Sequence, residues 1–156
     1  MMIAQAQEVE KVRALPIVSR FSLADIQERG PWLLARLTKK WPHLSEATFA
    51  GRIRAWIGSN SHYFTKTPHA IALFRVDRTE LDPLPIVSEV FVVSDAPRQQ
   101  NSEAERCAVA IYRDAARWAR GLAATRLIIT EYSDHGGGRM GNLVRAEEEI
   151  ERFIKL

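Results

Sequence analysis

The residues able to do chemistry are few and scattered along the chain. His135 precedes three glycines and Arg139 (HGGGR), a pattern in which glycines let a backbone come close to a phosphate. A nucleoside-triphosphate loop would need Lys followed by Ser or Thr entering a helix. Neither is present, so the segment reads as a turn after a strand, with Gly136–Gly138 still able to admit a ligand. His43, His62, His69 and His135 show no paired spacing such as H-E-x-x-H, and no metal site is expected. Cys107, the sole cysteine, can form no internal disulfide and no thiolate zinc cluster; it fits a reducing compartment and reads as a small buried helix residue. No Gly-x-Ser-x-Gly elbow exists for a serine hydrolase. The one local excess of bases, Arg106, Arg113, Arg117 and Arg120, sits among acids and alanines and reads as a solvated helix face. Nucleic-acid binders concentrate their bases on one stripe, so no nucleic-acid partner is expected.

Composition narrows the class. The chain has 156 residues, 46% hydrophobic and 26% charged, with a net charge of +3 and a pI near 9.3. That is the balance of a globular protein, and the length suits one domain over 1–156. No apolar run approaches the roughly 18 residues of a membrane span. The N-terminal MMIAQAQEVEKVRALP mixes acids and bases too early for a signal peptide, which implies a cytoplasmic protein.

The elements that must position any site follow from periodicity. Residues 12–21 contain a short β-like run, and Ser22 can cap the helix after it. Leu23–Trp41 is helical in composition, but Gly30–Pro31 predicts a break into two helices, because Pro31 donates no hydrogen bond and restricts the residue before it. Ser45 begins another helix, with Phe49, Ile53, Trp56 and Ile57 on one stripe and Gly58 able to end it. Trp32 and Trp41, beside Pro31 and Pro42, could line a groove or a partner surface. The period then shortens: Tyr63–Thr67, Ala70–Asp77 and Pro85–Asp95 read as strands. After a polar loop at Pro97–Ser102, a long helix runs to about Ala123, with Ala108, Ile111, Tyr112, Ala115, Trp118 and Leu122 on one face. Leu127–Thr130 suits a strand buried on both sides. A short helix over 139–146 and a last strand over 149–156, or a continued helix, complete the chain. Helices alternating with one mixed sheet give an α/β (α+β) fold: a mixed central sheet flanked by helices.

This order, from about Leu15 to Leu156, resembles that of the GNAT N-acetyltransferase superfamily. Its best local stretch is Trp118-Ala-Arg-Gly-Leu-Ala-Ala-Thr-Arg-Leu-Ile-Ile129. It is similar to the "WA-x-x-x-G-A-x-x-L" run at the end of the family's long central helix, with Ala123 where the family has Gly. Ser88–Ser94 looks like the family's fourth strand, which implies that its backbone, around Val92 and Val93, would face the pantetheine arm of acetyl-CoA.

The family's pyrophosphate loop, (Q/R)-x-x-G-x-(G/A), uses glycines and a helix N-terminus to cradle phosphates. Counted back without gaps, Glu103 falls at its Q/R position, Arg106 at its first Gly and Ala108 at its second; only Ala108 conforms. An alternative register makes Arg98, Gln99 and Gln100 the anion-facing loop, with Ser102 capping the helix. The resemblance implies Glu89, on the fourth strand, as base for an amine, and Tyr132 as acid for the leaving thiolate. Glu89 also reads as an outward-facing strand glutamate, and Tyr132 as a packing residue with a wet hydroxyl.

Two functions lead, ahead of a third, a nucleic-acid-associated protein, for which only the pI speaks. One is acyl transfer from acetyl-CoA to an amine-bearing small molecule or protein. The other is a catalytically inactive GNAT-like binding or assembly module, such as a phage accessory or virion component. An exposed final strand would let copies of the chain pair.

Overall fold

A computed structural model describes residues 15–129, apart from residues 79, 82, 100 and 101. The elements run β1 (Ser19–Arg20), α1 (Leu23–Lys40), α2 (Glu46–Gly58), β2 (His62–Lys66), β3 (Ala70–Asp77), β4 (Ile86–Ser94), α3 (Glu103–Gly121) and β5 (Arg126–Ile128). The HGGGR segment, the helix expected over 139–146 and the element expected over 149–156 lie outside the described residues.

At the start of α1 the Asp25 carboxylate accepts from the Ser22 N–H at 2.7 Å and the Ser22 hydroxyl at 2.9 Å, closing the first turn on itself. The Lys66 ammonium of β2 donates to the same carboxylate. Burial pushes the Asp25 pKa up, but Lys66 and the two Ser22 donors outweigh it and hold the group below its ordinary value of 3.8.

The expected break at Gly30–Pro31 does not occur: α1 is one helix through Pro31. Gly30, Leu33 and Leu37 are buried on its sheet-facing side, with Ile26 packed beside them, while Pro31 and Gln27 face solvent. The ring thus projects outward, and the Gln27 carbonyl that Pro31 cannot satisfy lies where water reaches it. Burial of the apolar stripe overrides the local penalty. In α2, Ser45 Oγ accepts from the Thr48 N–H at 3.1 Å, and Phe49 and Ile53 are buried with Trp56 and Ile57 beside them, as the spacing predicts.

The sheet has the order β1-β2-β3-β4-β5. The first four strands are antiparallel neighbours, and β5 lies parallel to β4. One face carries α1 and α2 over Phe21, Phe64, Ile71, Leu73, Phe91 and Val93. There Phe21 stacks on Phe64 with centroids 4.3 Å apart, and Trp56 meets Phe64 edge-on at 5.7 Å. The other face carries α3, whose Cys107, Ile111, Ala115 and Ala119 lie on Ala70, Ala72, Phe74, Val87 and Val92. Small residues on both surfaces let this helix approach closely. Tyr63 ties the layers together: its ring stacks on Trp118 at 4.6 Å, and its hydroxyl donates to Asp114 at 2.5 Å.

α3 ends in a Schellman turn. The Ala124 N–H reaches the Ala119 carbonyl and the Ala123 N–H the Arg120 carbonyl, both at 3.0 Å, with Ala123 at φ 56°. This left-handed residue is the one aligned with the family's glycine. β5 is shorter and less covered than expected: Ile128 is 40% exposed, although Ile129 is buried.

Candidate active site

Two local features shape the sheet at β4. The first is a bulge. Phe74 faces Glu89 and Leu73 faces Phe91, so Val90 is an extra residue on β4. The second is the point at which the described pairing of β5 with β4 ends. Among the described residues β5 pairs with β4 only at Ile86, Val87 and Ser88, although β4 continues to Ser94. Glu89 is the first residue beyond that pairing, directly before the bulge.

Glu89 does not point to solvent. It sits opposite Phe74, a member of the α3-side core, and only 8% of its surface is exposed. Tyr112 of α3 donates its hydroxyl hydrogen to Glu89 Oε1 at 2.6 Å. The Tyr112 ring meets Phe74 edge-on at 6.3 Å. Burial pushes the Tyr112 pKa well above 10, the Glu89 charge adds to this, and the Arg98 charge opposes it. The phenol is therefore a proton donor in a hydrogen bond and not a base. Glu89, Tyr112 and Arg98 bring together β4, α3 and the loop between them.

Tyr112 escaped the sequence reading because its spacing placed it on the apolar stripe of the long helix. The available signal was chemical: a phenol among alanines and Ile111 must find an acceptor if it is buried. Tyr132 and Gln100 lie outside the described residues, so their expected roles have no described geometry.

The remaining expected residues separate by element. Val92 and Val93 are on β4 beyond its described pairing with β5, with side chains buried in opposite layers. Arg98 and Gln99 are in the loop, where the Gln99 N–H bonds the Pro97 carbonyl and the Ser102 N–H bonds the Gln99 carbonyl, each at 3.0 Å. Ser102 caps α3, accepting from the Glu105 N–H at 3.1 Å. Arg106 and Ala108 belong to the helix itself, and Ala108 is packed in its core face. The positions of the ungapped register, Glu103, Arg106 and Ala108, all lie in helical turns of α3, whereas Arg98, Gln99 and Ser102 precede it. α3 presents its amide end to that loop, but its first turn also carries Glu103 and Glu105. Arg106 pairs with Glu103 at 3.2 Å and offsets part of that charge.

On the other layer, Trp32 is half-buried, with Arg29 and Arg36 over its ring at 5.7 and 5.5 Å; Trp41 is 41% exposed. Among the described residues no three His, Cys, Asp or Glu side chains group as metal ligands, and no helix is long and apolar enough to cross a membrane.

No protein-family model matches the sequence, and no curated protein matches it either. Solved structures do. One from Agrobacterium tumefaciens, provisionally assigned as an acetyltransferase, superposes with a TM-score of 0.57 at 16% identity, covering 90% of this chain and 94% of its own. A GNAT family acetyltransferase from Staphylococcus aureus gives a TM-score of 0.52 at 11% identity over 81% and 93%. An aminoglycoside acetyltransferase from an uncultured soil metagenomic sample, solved with sisomicin, gives 0.57 at 9% identity over 91% and 88%. The chain has a GNAT-like fold.

Proposed function

We propose that this protein transfers an acyl group from acetyl-CoA to an amine, with Glu89 as the general base. The observation that carries the proposal is Glu89 itself: a buried carboxylate of β4, engaged by the Tyr112 hydroxyl and directly before the Val90 bulge. Backbone groups of β4 after Glu89 that no neighbouring strand engages would be open to a ligand. Val92 and Val93 are on that stretch and would hold the pantetheine arm. Arg98, Gln99, Gln100 and Ser102 would hold the anionic end, where guanidinium and helix N-terminus both favour negative charge.

Bound acetyl-CoA supplies an activated thioester carbonyl. Glu89 takes the proton that the attacking amine nitrogen gives up as its bond to that carbon forms and the carbon–sulfur bond breaks. Tyr132 is the proposed donor to the departing thiolate. The acceptor is an amine-bearing small molecule or protein; the solved complex of an aminoglycoside acetyltransferase with sisomicin makes a polyamine sugar a first acceptor to try.

A second reading keeps the fold and drops the chemistry. It is favoured by the acidic first turn of α3, Glu103 and Glu105, and by the lack of any glycine from Pro97 to Ala108. Calorimetric titration with acetyl-CoA separates the two. Micromolar binding that weakens in Arg98→Gln supports the enzyme. No binding at millimolar cofactor leaves the binding or assembly module.

A further inference from the structure

We infer that Tyr112 is a positioning residue for the proposed acyl transfer: its hydroxyl fixes the Glu89 carboxylate. The inference rests on the acyltransferase reading and names a group that the sequence pattern assigned to packing.

Three observations converge on Tyr112. Its Oη lies 2.6 Å from Glu89 Oε1, a short contact of the kind made to an ionised acceptor. Its ring is held between a helix and a strand, edge-on to Phe74, so the hydroxyl is delivered by rigid elements and not by a loop. Finally, the carboxylate it engages is the first β4 residue past the β5 pairing. A tyrosine needed only to fasten α3 to the sheet could bond any backbone acceptor of β4; this one engages the only buried carboxylate of that strand.

The chemistry follows from the direction of the bond. A phenol that donates to a carboxylate stabilises its charged form and restrains its rotation. Among the described residues, the charged groups that act on Tyr112 are Glu89 from β4 and Arg98 from the loop. The phenol favours ionised Glu89, the form able to accept a proton from an amine. Arg98, whose charge acts on Tyr112, belongs to the loop proposed to meet the cofactor's phosphates.

The test compares wild type with Tyr112→Phe, using acetyl-CoA with sisomicin, spermine and a lysine-containing peptide as acceptors. The expected result is a kcat lower by roughly tenfold, with the KM for acetyl-CoA unchanged. The acid limb of the pH–rate profile should move up by about one unit, in step with the Glu89 carboxyl carbon titrated by NMR. An unchanged profile, with only the melting temperature lowered, overturns the positioning role and leaves the acyltransferase reading standing. Absence of transfer by wild type to all three acceptors overturns both. A measurement without any variant guards against a Tyr112→Phe chain that does not fold: in wild type the Tyr112 ring carbon bearing the hydroxyl and the Glu89 carboxyl carbon should titrate with one midpoint. Separate midpoints overturn the inference.

Discussion

Tyr112 Oη stands 2.6 Å from Glu89 Oε1, and this contact joins α3 to β4 at the residue directly after the three that β5 pairs among the described residues. If Glu89 accepts the amine proton, Glu89→Gln keeps the shape and removes the base. The expected loss in kcat is about 10²- to 10⁴-fold, with acetyl-CoA binding intact by calorimetry. A variant that transfers as fast as wild type would remove Glu89 from the chemistry.

Glu103 and Glu105 place two carboxylates in the first turn of the helix proposed to face a pyrophosphate. Removing one should help a second anion bind there. Glu103→Gln also releases Arg106 from its 3.2 Å partner. Acetyl-CoA affinity should rise about two- to fivefold at low ionic strength, and the gain should shrink as salt is added. Weaker binding would show that Glu103 acts by holding Arg106 in place.

Ala123 adopts φ 56° at the end of α3, a conformation that costs an L-residue with a Cβ about 1–2 kcal/mol. Glycine avoids that strain but makes the unfolded chain more flexible, which offsets part of the gain. Ala123→Gly should therefore stabilise the fold by about 0.5–1 kcal/mol, seen as a melting temperature higher by about 1–4 °C. Ala123→Val should act in the opposite direction.

Asp25 sets an acid-side limit on stability. Its folded carboxyl is held below 3.8 despite burial, by Lys66 and Ser22, so the unfolded chain takes up the proton more readily. The stabilisation is present in full above about pH 4 and is lost as pH falls through 3.8 toward the folded value. Asp25→Asn should cost about 1–2 kcal/mol at pH 7, the lower part of the range for a charged hydrogen bond because Lys66 is partly exposed and screened. Denaturant melts from pH 7 to pH 3 should show a shallower acid decline in the variant.

Much of the fold was legible because its elements obey strong local patterns. Ala70–Asp77 was read with the bounds it has, and Ser22, Ser45 and Ser102 stand where their helices start. Pro31 was misread because a proline's local cost is visible in sequence, while the sheet surface that Leu33 and Leu37 bury against is not. Ala123 was aligned with a glycine, yet only the backbone reveals the positive φ behind that preference. Glu89 was singled out through a likeness of layout, and its neighbour was missed. Tyr112 lies 23 residues further on, and helical periodicity tells which face a residue occupies but not which acceptor awaits it.

Val90 has a geometric consequence for where that acid resides. Along an unbulged strand every second side chain shares a face, so Val87, Glu89, Phe91 and Val93 would all enter one layer. With the additional residue, Val87 and Glu89 enter the α3 layer while Phe91 and Val93 enter the layer of α1 and α2. Flatten the bulge while keeping Val90, and either two large apolar groups or the carboxylate must change sides; delete Val90, and regular alternation keeps each of them where it is. The acid's address is thus a matter of parity: a one-residue slip that drew Val90 into the ladder would set it against the apolar side chains that follow, without any change in its own identity.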